Sequence, residues 1–152
     1  MIGFKVGFGY DVHRFAENRP LILGGVNISF SKGLSGHSDA DVLLHAVSDA
    51  LLGAANLGDI GLFFPDDDPA VKNMDSSVML AEVMELISNQ GYKVGNLDAT
   101  VVMQTPKISA YIPGMKKKSA GLLKTDESDI SIKAKTSERM GFIGREEGVS
   151  AF

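Results

Sequence analysis

The chain contains no cysteine, so disulfide bonds and thiolate metal sites are excluded. It has no apolar run approaching the ~20 residues that a membrane helix needs, and residues 1–6 carry no pattern typical of a signal peptide. Basic residues are outnumbered, with 15 lysines and arginines against 19 aspartates and glutamates and a net charge of −4. Because nucleic-acid binding needs a basic face, this balance argues against it. We therefore expect a cytoplasmic protein that binds neither membranes nor nucleic acids.

Apolar residues make up 44 % of the 152 positions and charged residues 22 %, as is usual for one globular domain. Alternation predicts strands at 3–14, 93–104, 129–136 and 149–152, and two short strands around a glycine pair within 21–30. Helical periodicity predicts helices at 39–56, 76–90 and 113–123, with polar loops or turns at 31–36, 59–69 and 137–148. These elements predict an α+β fold, a single-domain sandwich of a mixed β-sheet with helices on one face. A chain this small has no spare helices for the other face, so we expect subunits to associate through it.

Two of the three histidines lie in residues 37–53, next to several carboxylates. Ser38 is suited to cap a helix that begins at Asp39. Residues four apart share a helix face, so Asp41, His45 and Asp49 form one row, with His37 just ahead of the cap in the same register.

The third histidine, His13, is close to a carboxylate in the sequence Asp11-Val12-His13. If this segment is a strand, Asp11 and His13 point the same way and can converge with His45 on one metal ion. Three protein ligands and one open position are typical of catalytic zinc. Asp49 would then either orient His45 by accepting the proton of its second ring nitrogen or lie at the edge of the site. The alternative is that His45 is an ordinary buried histidine and His13 a surface one.

Hydroxyls, cations and a carboxylate also cluster at 133–139, at the end of a predicted strand. Such groups suit a phosphate together with a divalent ion, but a capped turn with solvated charges has the same composition. A third segment, the acidic loop at 59–69, is either a solvated turn or a lid over a site; its two adjacent phenylalanines favour a lid.

One long stretch, SDADVLLHAVSDALLG at 38–53, resembles the signature of the 2-C-methyl-D-erythritol 2,4-cyclodiphosphate synthase (IspF) family. The resemblance continues in order along nearly the whole chain, through GYDVH at 9–13, GDIG at 58–61, FPD at 64–66, PK at 106–107, KAKTSERMGF at 133–142 and GREEG at 144–148. It implies a homotrimer with active sites between subunits. It also implies that 4-diphosphocytidyl-2-C-methyl-D-erythritol 2-phosphate is cyclised with release of CMP, in the non-mevalonate route to isoprenoid precursors.

The resemblance also implies roles for individual residues. Asp11, His13 and His45 match the zinc ligands, and Glu138 matches the ligand of a second ion, usually Mg²⁺ or Mn²⁺. His37 and Thr136 match positions that stabilise the transition state. The positions that match the substrate-binding set, besides Asp11, His13, His37, Thr136 and Glu138, are Ser38, Asp59, Ile60, Gly61, Phe64, Pro65, Asp66, Asp67, Asp68, Met103, Gln104, Thr105, Pro106, Lys107, Ile108, Ser109, Lys135, Ser137, Phe142 and Arg145.

Two positions depart from the family pattern. Lys135 stands where a threonine is common, and the sequence ends at Phe152, several residues ahead of the usual family end and at a position where glutamate is frequent. Two other functions are compatible with the residues alone: a zinc hydrolase that acts on phosphoesters through a metal-bound water, and a metal-binding trimer without activity.

Overall fold

A five-stranded mixed sheet organises the computed structural model, which describes residues 3–152. Residues 1 and 2 lie outside the described residues; they belong to the segment 1–6, in which no signal peptide is expected. The strands are β1 Asp11–Glu17, β2 Leu21–Leu23, β3 Val26–Ile28, β4 Lys32–Leu34, β5 Leu97–Val102, β6 Ile130–Lys135 and β7 Gly148–Ala151. The sheet has the order β4-β1-β7-β5-β6, and β2 and β3 form a separate hairpin. Among the strands of residues 3–152, only β5 and β6 pair in parallel.

Helices of very different length fill the connections. They are α1 Val42–Ala54, α2 Ile60–Phe63, α3 Ser76–Asn89, α4 Ile112–Leu123 and α5 Gly141–Gly144, with 3-10 turns at Ser109–Tyr111 and Glu127–Asp129. Among the described residues, no helix combines the length and the apolarity needed to cross a membrane.

The core lies between the sheet and its helices. Ala99 and Val101 of β5, and Ile130 and Ile132 of β6, are buried against helical residues, whereas Ser131 on the alternate face is exposed. The predicted α+β architecture is therefore confirmed as a mixed sheet covered by helices. Association through the opposite face remains a prediction.

The strand predicted at 3–14 begins only at Asp11. Residues 3–10 form no strand, although their apolar side chains alternate as expected: Phe4, Val6 and Phe8 are 89 %, 81 % and 75 % exposed. Gly7 and Gly9 face α1 so closely that a Cβ at either position would lie 1.8 Å from a helix carbonyl oxygen. The side chains thus alternate as expected, but the segment forms no strand, and its Phe8 ring lies 6.3 Å from the Phe152 ring, centroid to centroid.

The predicted start of the long helix at Asp39 is also wrong. Ala40 adopts a left-handed backbone conformation with φ +59°, which a right-handed helix cannot contain. The helix begins at Val42, and Asp41 rather than Ser38 is its cap, because the Asp41 side chain accepts from the backbone N–H groups of Leu43 and Leu44.

Three predicted loops or turns contain regular structure. Strand β4 lies within the loop expected at 31–36 and pairs with β1, with Leu34 opposite Phe15. Gly33 allows β4 to lie close to the backbone at Pro20, because a Cβ at Gly33 would be 2.2 Å from the Pro20 carbonyl oxygen. The loop expected at 59–69 begins with α2, and α5 lies in the turn-rich segment 137–148. Single-turn elements such as these carry too little periodicity to be predicted.

Candidate active site

Strand β1 places Asp11 and His13 on one side, as their spacing predicted. It pairs with β7, with Asp11 opposite Ala151 and His13 opposite Val149. The third member, His45, lies in the first turns of α1 and is 6 % exposed. A strand and a helix distant in sequence thus bring these three side chains together.

The start of α1 is held by one carboxylate. Asp41, fully buried, accepts from the N–H groups of Leu43 and Leu44 at 3.1 Å each, and from Gly24 at 2.9 Å and Gly25 at 2.7 Å. Both glycines have positive φ in the β2–β3 turn. Burial raises the pKa of Asp41 to about 6, against the opposing effect of the Gly25, Leu44 and Gly24 N–H donors. Asp41 therefore joins the hairpin to the helix that carries His45.

The metal triad (Asp11, His13 and His45) has the geometry of a metal site. Asp11 Oδ2 lies 3.0 Å from His13 Nε2 and 3.0 Å from His45 Nδ1, and the two nitrogens are 3.2 Å apart. Two donors bound tetrahedrally at about 2.0–2.1 Å stand about 3.3–3.4 Å apart. One carboxylate oxygen and two imidazole nitrogens therefore fit a divalent ion with little movement.

Hydrogen bonds behind the two histidines orient them. His13 Nδ1 donates to the Ser35 carbonyl at 2.6 Å, which leaves Nε2 free for a metal. His45 Nε2 lies 2.9 Å from Ser76 Oγ and 3.2 Å from Ser38 Oγ. The prediction that Asp49 would take the second ring proton of His45 is wrong.

Asp49 has a different partner. Its carboxylate accepts from the Ile60 backbone N–H at 2.8 Å and so positions the start of α2. Burial, together with the nearby Asp59 and Asp11 carboxylates, raises its pKa above the ordinary value. Asp49 thus links α1 to the segment expected to bind substrate.

The charges of the triad are coupled. Burial disfavours the ionised form of Asp11, but the contacts of its carboxylate with the His13 and His45 rings outweigh burial and hold the pKa of Asp11 well below its usual range. Burial likewise disfavours protonated His13, and its contacts with Asp11 raise the pKa of His13 nonetheless. The site is therefore anionic at its centre and suited to a cation.

The loop before α1 exposes His37 next to the triad segment. The His37 ring lies on the surface, 4.0 Å from the Asp66 carboxylate, whereas Ser38 is buried. Arg19 donates to the carbonyls of Gly36 and Ser38 at 2.9 and 2.6 Å, on either side of His37. Together with Lys72 and neighbouring backbone, Arg19 and His37 line a cleft of about 270 Å³.

The second predicted cluster lies at the end of β6. Thr136 Oγ1 donates to Glu138 Oε1 at 3.1 Å, and both side chains are largely exposed. Gln104 Oε1 accepts from the Arg139 backbone N–H at 3.1 Å, and Met103 N–H donates to the Lys135 carbonyl at 2.9 Å. The loop after β5 and the turn after β6, predicted separately, therefore form one surface, the β5–β6 edge (residues 103–109 and 135–139).

Within residues 3–152, no hydrogen bond or ion pair joins the β5–β6 edge to the metal triad. Across the sheet, Asp11 of β1 pairs with Ala151 of β7, Ala151 pairs with Val101 of β5, and Val101 pairs with Ala134 of β6. Three strand spacings of about 4.8 Å place the backbones of Asp11 and Ala134 about 14 Å apart. The predicted site residues of one described chain thus fall into two groups, which we call half-sites.

Most of the remaining predicted residues are on the surface near these elements, but the side chains of Met103 and Ile108 are buried in the core. Phe64 is buried and anchors the acidic loop, whereas Asp66, Asp67 and Asp68 are exposed. Phe142 is 37 % exposed and Arg145 pairs with Glu147 at 2.7 Å. Sequence reasoning missed Ser76 and Arg19 as neighbours of the site, since no spacing or motif connects them to it. Asp39 belongs to the 38–53 stretch, but it was predicted only as the start of a helix.

Comparison with known proteins identifies the family. The model of the YgbB family matches residues 4–152. The chain belongs to the YgbB family. A YgbB relative from Porphyromonas gingivalis, named 2-C-methyl-D-erythritol 2,4-cyclodiphosphate synthase, is 56 % identical over 149 residues, 98 % of this chain and 92 % of that protein. A Bacillus cytotoxicus relative of the same name is 54 % identical over 148 residues, 97 % of this chain and 94 % of that protein.

Solved structures agree with the YgbB assignment. The bifunctional IspDF of Campylobacter jejuni superposes with a TM-score of 0.94 at 44 % identity, over 98 % of this chain and 40 % of that longer chain. A complex of Plasmodium falciparum IspF with CDP gives a TM-score of 0.85 at 36 % identity, over 99 % and 93 % of the two chains. The family resemblance stated from the sequence motifs is confirmed.

Proposed function

We propose that this chain converts 4-diphosphocytidyl-2-C-methyl-D-erythritol 2-phosphate into 2-C-methyl-D-erythritol 2,4-cyclodiphosphate and CMP, in the synthesis of isoprenoid precursors by the non-mevalonate route. The metal triad carries the proposal, because its donors lie within 3.2 Å of one another in a chain 56 % identical to a protein named as this synthase. The CDP complex of a solved relative supports a substrate with a cytidine diphosphate group. The enzyme would be a phosphorus–oxygen lyase of the cytoplasm.

The substrate contains its own nucleophile. An oxygen of the 2-phosphate attacks the β-phosphorus, the bond from that phosphorus to the bridging oxygen breaks, and CMP leaves with this oxygen. No water is consumed, and the protein supplies no serine or cysteine nucleophile. Its contribution is to align two phosphate groups and to offset their charge.

The donors present fit the ions that the family resemblance implies. Two imidazoles and one carboxylate suit zinc, and Glu138 offers the oxygen ligand that Mg²⁺ or Mn²⁺ prefers. When bound, these ions supply Lewis-acid polarisation of phosphate oxygens and neutralise charge. Asp11, His13 and His45 would thereby hold the diphosphate end of the substrate at the triad.

Other side chains would bind and orient the reacting phosphates. His37 is exposed next to the triad on a loop held by Arg19, so we assign it to the charge that develops in the transition state. Ser38 belongs to the same loop. Thr136 would act from the other half-site, where its hydroxyl and the neighbouring backbone face solvent.

The remaining predicted residues divide by the part of the substrate they would contact. The β5–β6 edge would hold the cytidine through Met103, Gln104, Thr105, Pro106, Lys107, Ile108, Ser109 and Lys135. The start of α2 and the acidic loop would hold the methylerythritol through Asp59, Ile60, Gly61, Phe64, Pro65, Asp66, Asp67 and Asp68. Ser137, Phe142 and Arg145 would complete the substrate contacts.

The separation of the half-sites supports an active site between subunits. A diphosphate cannot span about 14 Å, so the triad of one subunit and the β5–β6 edge of another would have to meet. The exposed apolar side chains of Phe4, Val6 and Phe8 give subunits a surface for association. We propose that the assembly is a homotrimer.

Phosphorus NMR of the purified protein with substrate, zinc and magnesium tests this function. We expect new cyclic-diphosphate resonances and one equivalent of CMP. Linear phosphate products would instead indicate a hydrolase. An unchanged spectrum with a folded, metal-loaded protein would mean that the chain binds metal without catalysing the reaction.

A further inference from the structure

The second ring nitrogen of His45 is enclosed by two hydroxyl groups. His45 is 6 % exposed, and its Nε2 lies 2.9 Å from Ser76 Oγ and 3.2 Å from Ser38 Oγ. Ser76 and Ser38 are themselves 1 % and 4 % exposed. For Nδ1 to ligate a metal, the hydrogen of the neutral ring must be on Nε2. One of these hydroxyls must therefore accept it.

The hydrogen bonds of Ser76 have only one consistent direction. Ser76 Oγ also contacts Asp39 Oδ1, and an ionised carboxylate can only accept. The single hydroxyl hydrogen of Ser76 therefore points to Asp39, and its lone pairs face His45. Ser38 has no such constraint: its oxygen accepts from the Ala40 N–H at 3.1 Å, and its hydrogen stays free to donate. Ser38 alone would permit either tautomer of His45.

Backbone contacts hold Asp39 and Ser76 together. Asp39 Oδ2 accepts from the Ser76 backbone N–H at 3.1 Å, and the Asp39 N–H donates to the Met74 carbonyl at 3.0 Å. Ser76 is the first residue of α3, whose cap is Asp75. The start of α3 thus meets the loop before α1 directly behind a metal ligand.

We propose that Asp39 and Ser76 are positioning residues that keep the hydrogen of His45 on Nε2 and so present Nδ1 to the metal. The proposed function motivates the metal, but the inference concerns metal affinity and the tautomer of His45. Its tests need no substrate. A purely structural role, in which Asp39 and Ser76 only join α3 to the loop, would alter stability and leave metal affinity unchanged.

Zinc affinity, measured with zinc alone in competition with a chelator, tests the proposal. Ser76→Ala is expected to weaken zinc binding about 10- to 100-fold, the usual effect of removing a partner behind a metal-bound histidine. Ser76→Thr keeps the hydroxyl and should stay within about 3-fold of wild type. Ser77→Ala is the matched control, because Ser77 is the next residue of α3, is also buried, and makes no hydrogen bond to His45. Wild-type affinity in Ser76→Ala, or equal losses in Ser76→Ala and Ser77→Ala, would overturn the proposal.

Nitrogen NMR of the histidine rings gives a test that does not depend on the variants folding. In zinc-loaded wild type, the hydrogen of His45 is expected on Nε2 and the zinc on Nδ1. Zinc bound through Nε2, with the hydrogen on Nδ1, would refute the inference. If the inference holds while no cyclic diphosphate forms, only the proposed reaction is wrong; normal cyclisation with a His45 hydrogen on Nδ1 would overturn the inference alone.

Discussion

Replacing Asp41 should destabilise the fold more than the loss of an ordinary helix cap. Asp41→Ala removes two bonds at the start of α1 and two to the β2–β3 turn. A lost cap costs about 1 kcal/mol, and each unsatisfied buried donor costs about 1–3 kcal/mol. We therefore expect Asp41→Ala to lower the free energy of unfolding by about 3–5 kcal/mol, which corresponds to a fall in Tm of roughly 10 °C or more in a chain of this size.

Two further variants separate the contributions. Asp75 caps α3 through a single bond to the Ser77 N–H at 2.7 Å, so Asp75→Ala should cost about 1 kcal/mol. Asp41→Asn keeps Oδ1, which accepts three of the four bonds, but turns an amide NH₂ towards the Gly25 N–H. We expect Asp41→Asn to lower the free energy of unfolding by about 2 kcal/mol.

Urea unfolding at pH 7 measures the free energy of unfolding of wild type and of the three variants. A chelator is present so that bound metal does not contribute. Equal losses in Asp41→Ala and Asp75→Ala would show that the bonds to the hairpin turn contribute nothing. A loss in Asp41→Asn as large as that in Asp41→Ala would contradict the assignment of three bonds to Oδ1.

Four further outcomes follow from the site. His45→Ala should abolish zinc binding and turnover, whereas His37→Ala should keep zinc and lose about 10²–10³-fold in kcat, as steady-state kinetics and metal analysis would show. Co-expression of His45→Ala with Glu138→Ala tests whether each site combines the triad of one subunit with Glu138 of another. In randomly mixed trimers, about a quarter of such shared sites would have both residues intact and about a quarter of wild-type activity should return, whereas sites within one subunit would recover none. Zinc at about 1,000 times its Kd should raise the unfolding free energy of wild type by about 4 kcal/mol, and that of His45→Ala by nothing, as chemical denaturation would detect. Because the pKa of Asp41 is raised to about 6 from 3.8, the folded state binds a proton more tightly than the unfolded state, and this stabilisation is complete below about pH 4 and lost as pH rises to 6. Over that range the free energy of unfolding of wild type should fall by up to about 3 kcal/mol relative to Asp41→Asn. Parallel stability profiles of the two proteins would refute this.

Local patterns predicted what depends on local geometry. The two-residue spacing of Asp11 and His13 placed both on one side of β1, and the glycine pair predicted the β2–β3 turn. The start of α1 was missed because Ala40 has a left-handed conformation that its sequence does not reveal. Asp49 was assigned to His45 from helical spacing, but α2 provides a backbone partner instead.

Contacts between distant segments were outside the reach of the sequence. Ser76 meets His45 only because α3 packs on α1, and 31 residues separate them. Residues 3–10 alternate like a strand, yet they form none in the described chain, and Phe4, Val6 and Phe8 are exposed. The family resemblance supplied the roles of the β5–β6 edge, which composition alone left indistinguishable from a capped turn.

The central claim, an intramolecular cyclisation directed by the metal triad, is tested most directly by running the reaction in oxygen-18 water and weighing the products. Because the attacking oxygen belongs to the substrate, we expect cyclic diphosphate and CMP that contain no solvent oxygen. A linear phosphate product that contains oxygen-18, or oxygen-18 in CMP, would show that water attacks phosphorus and that the protein is a hydrolase.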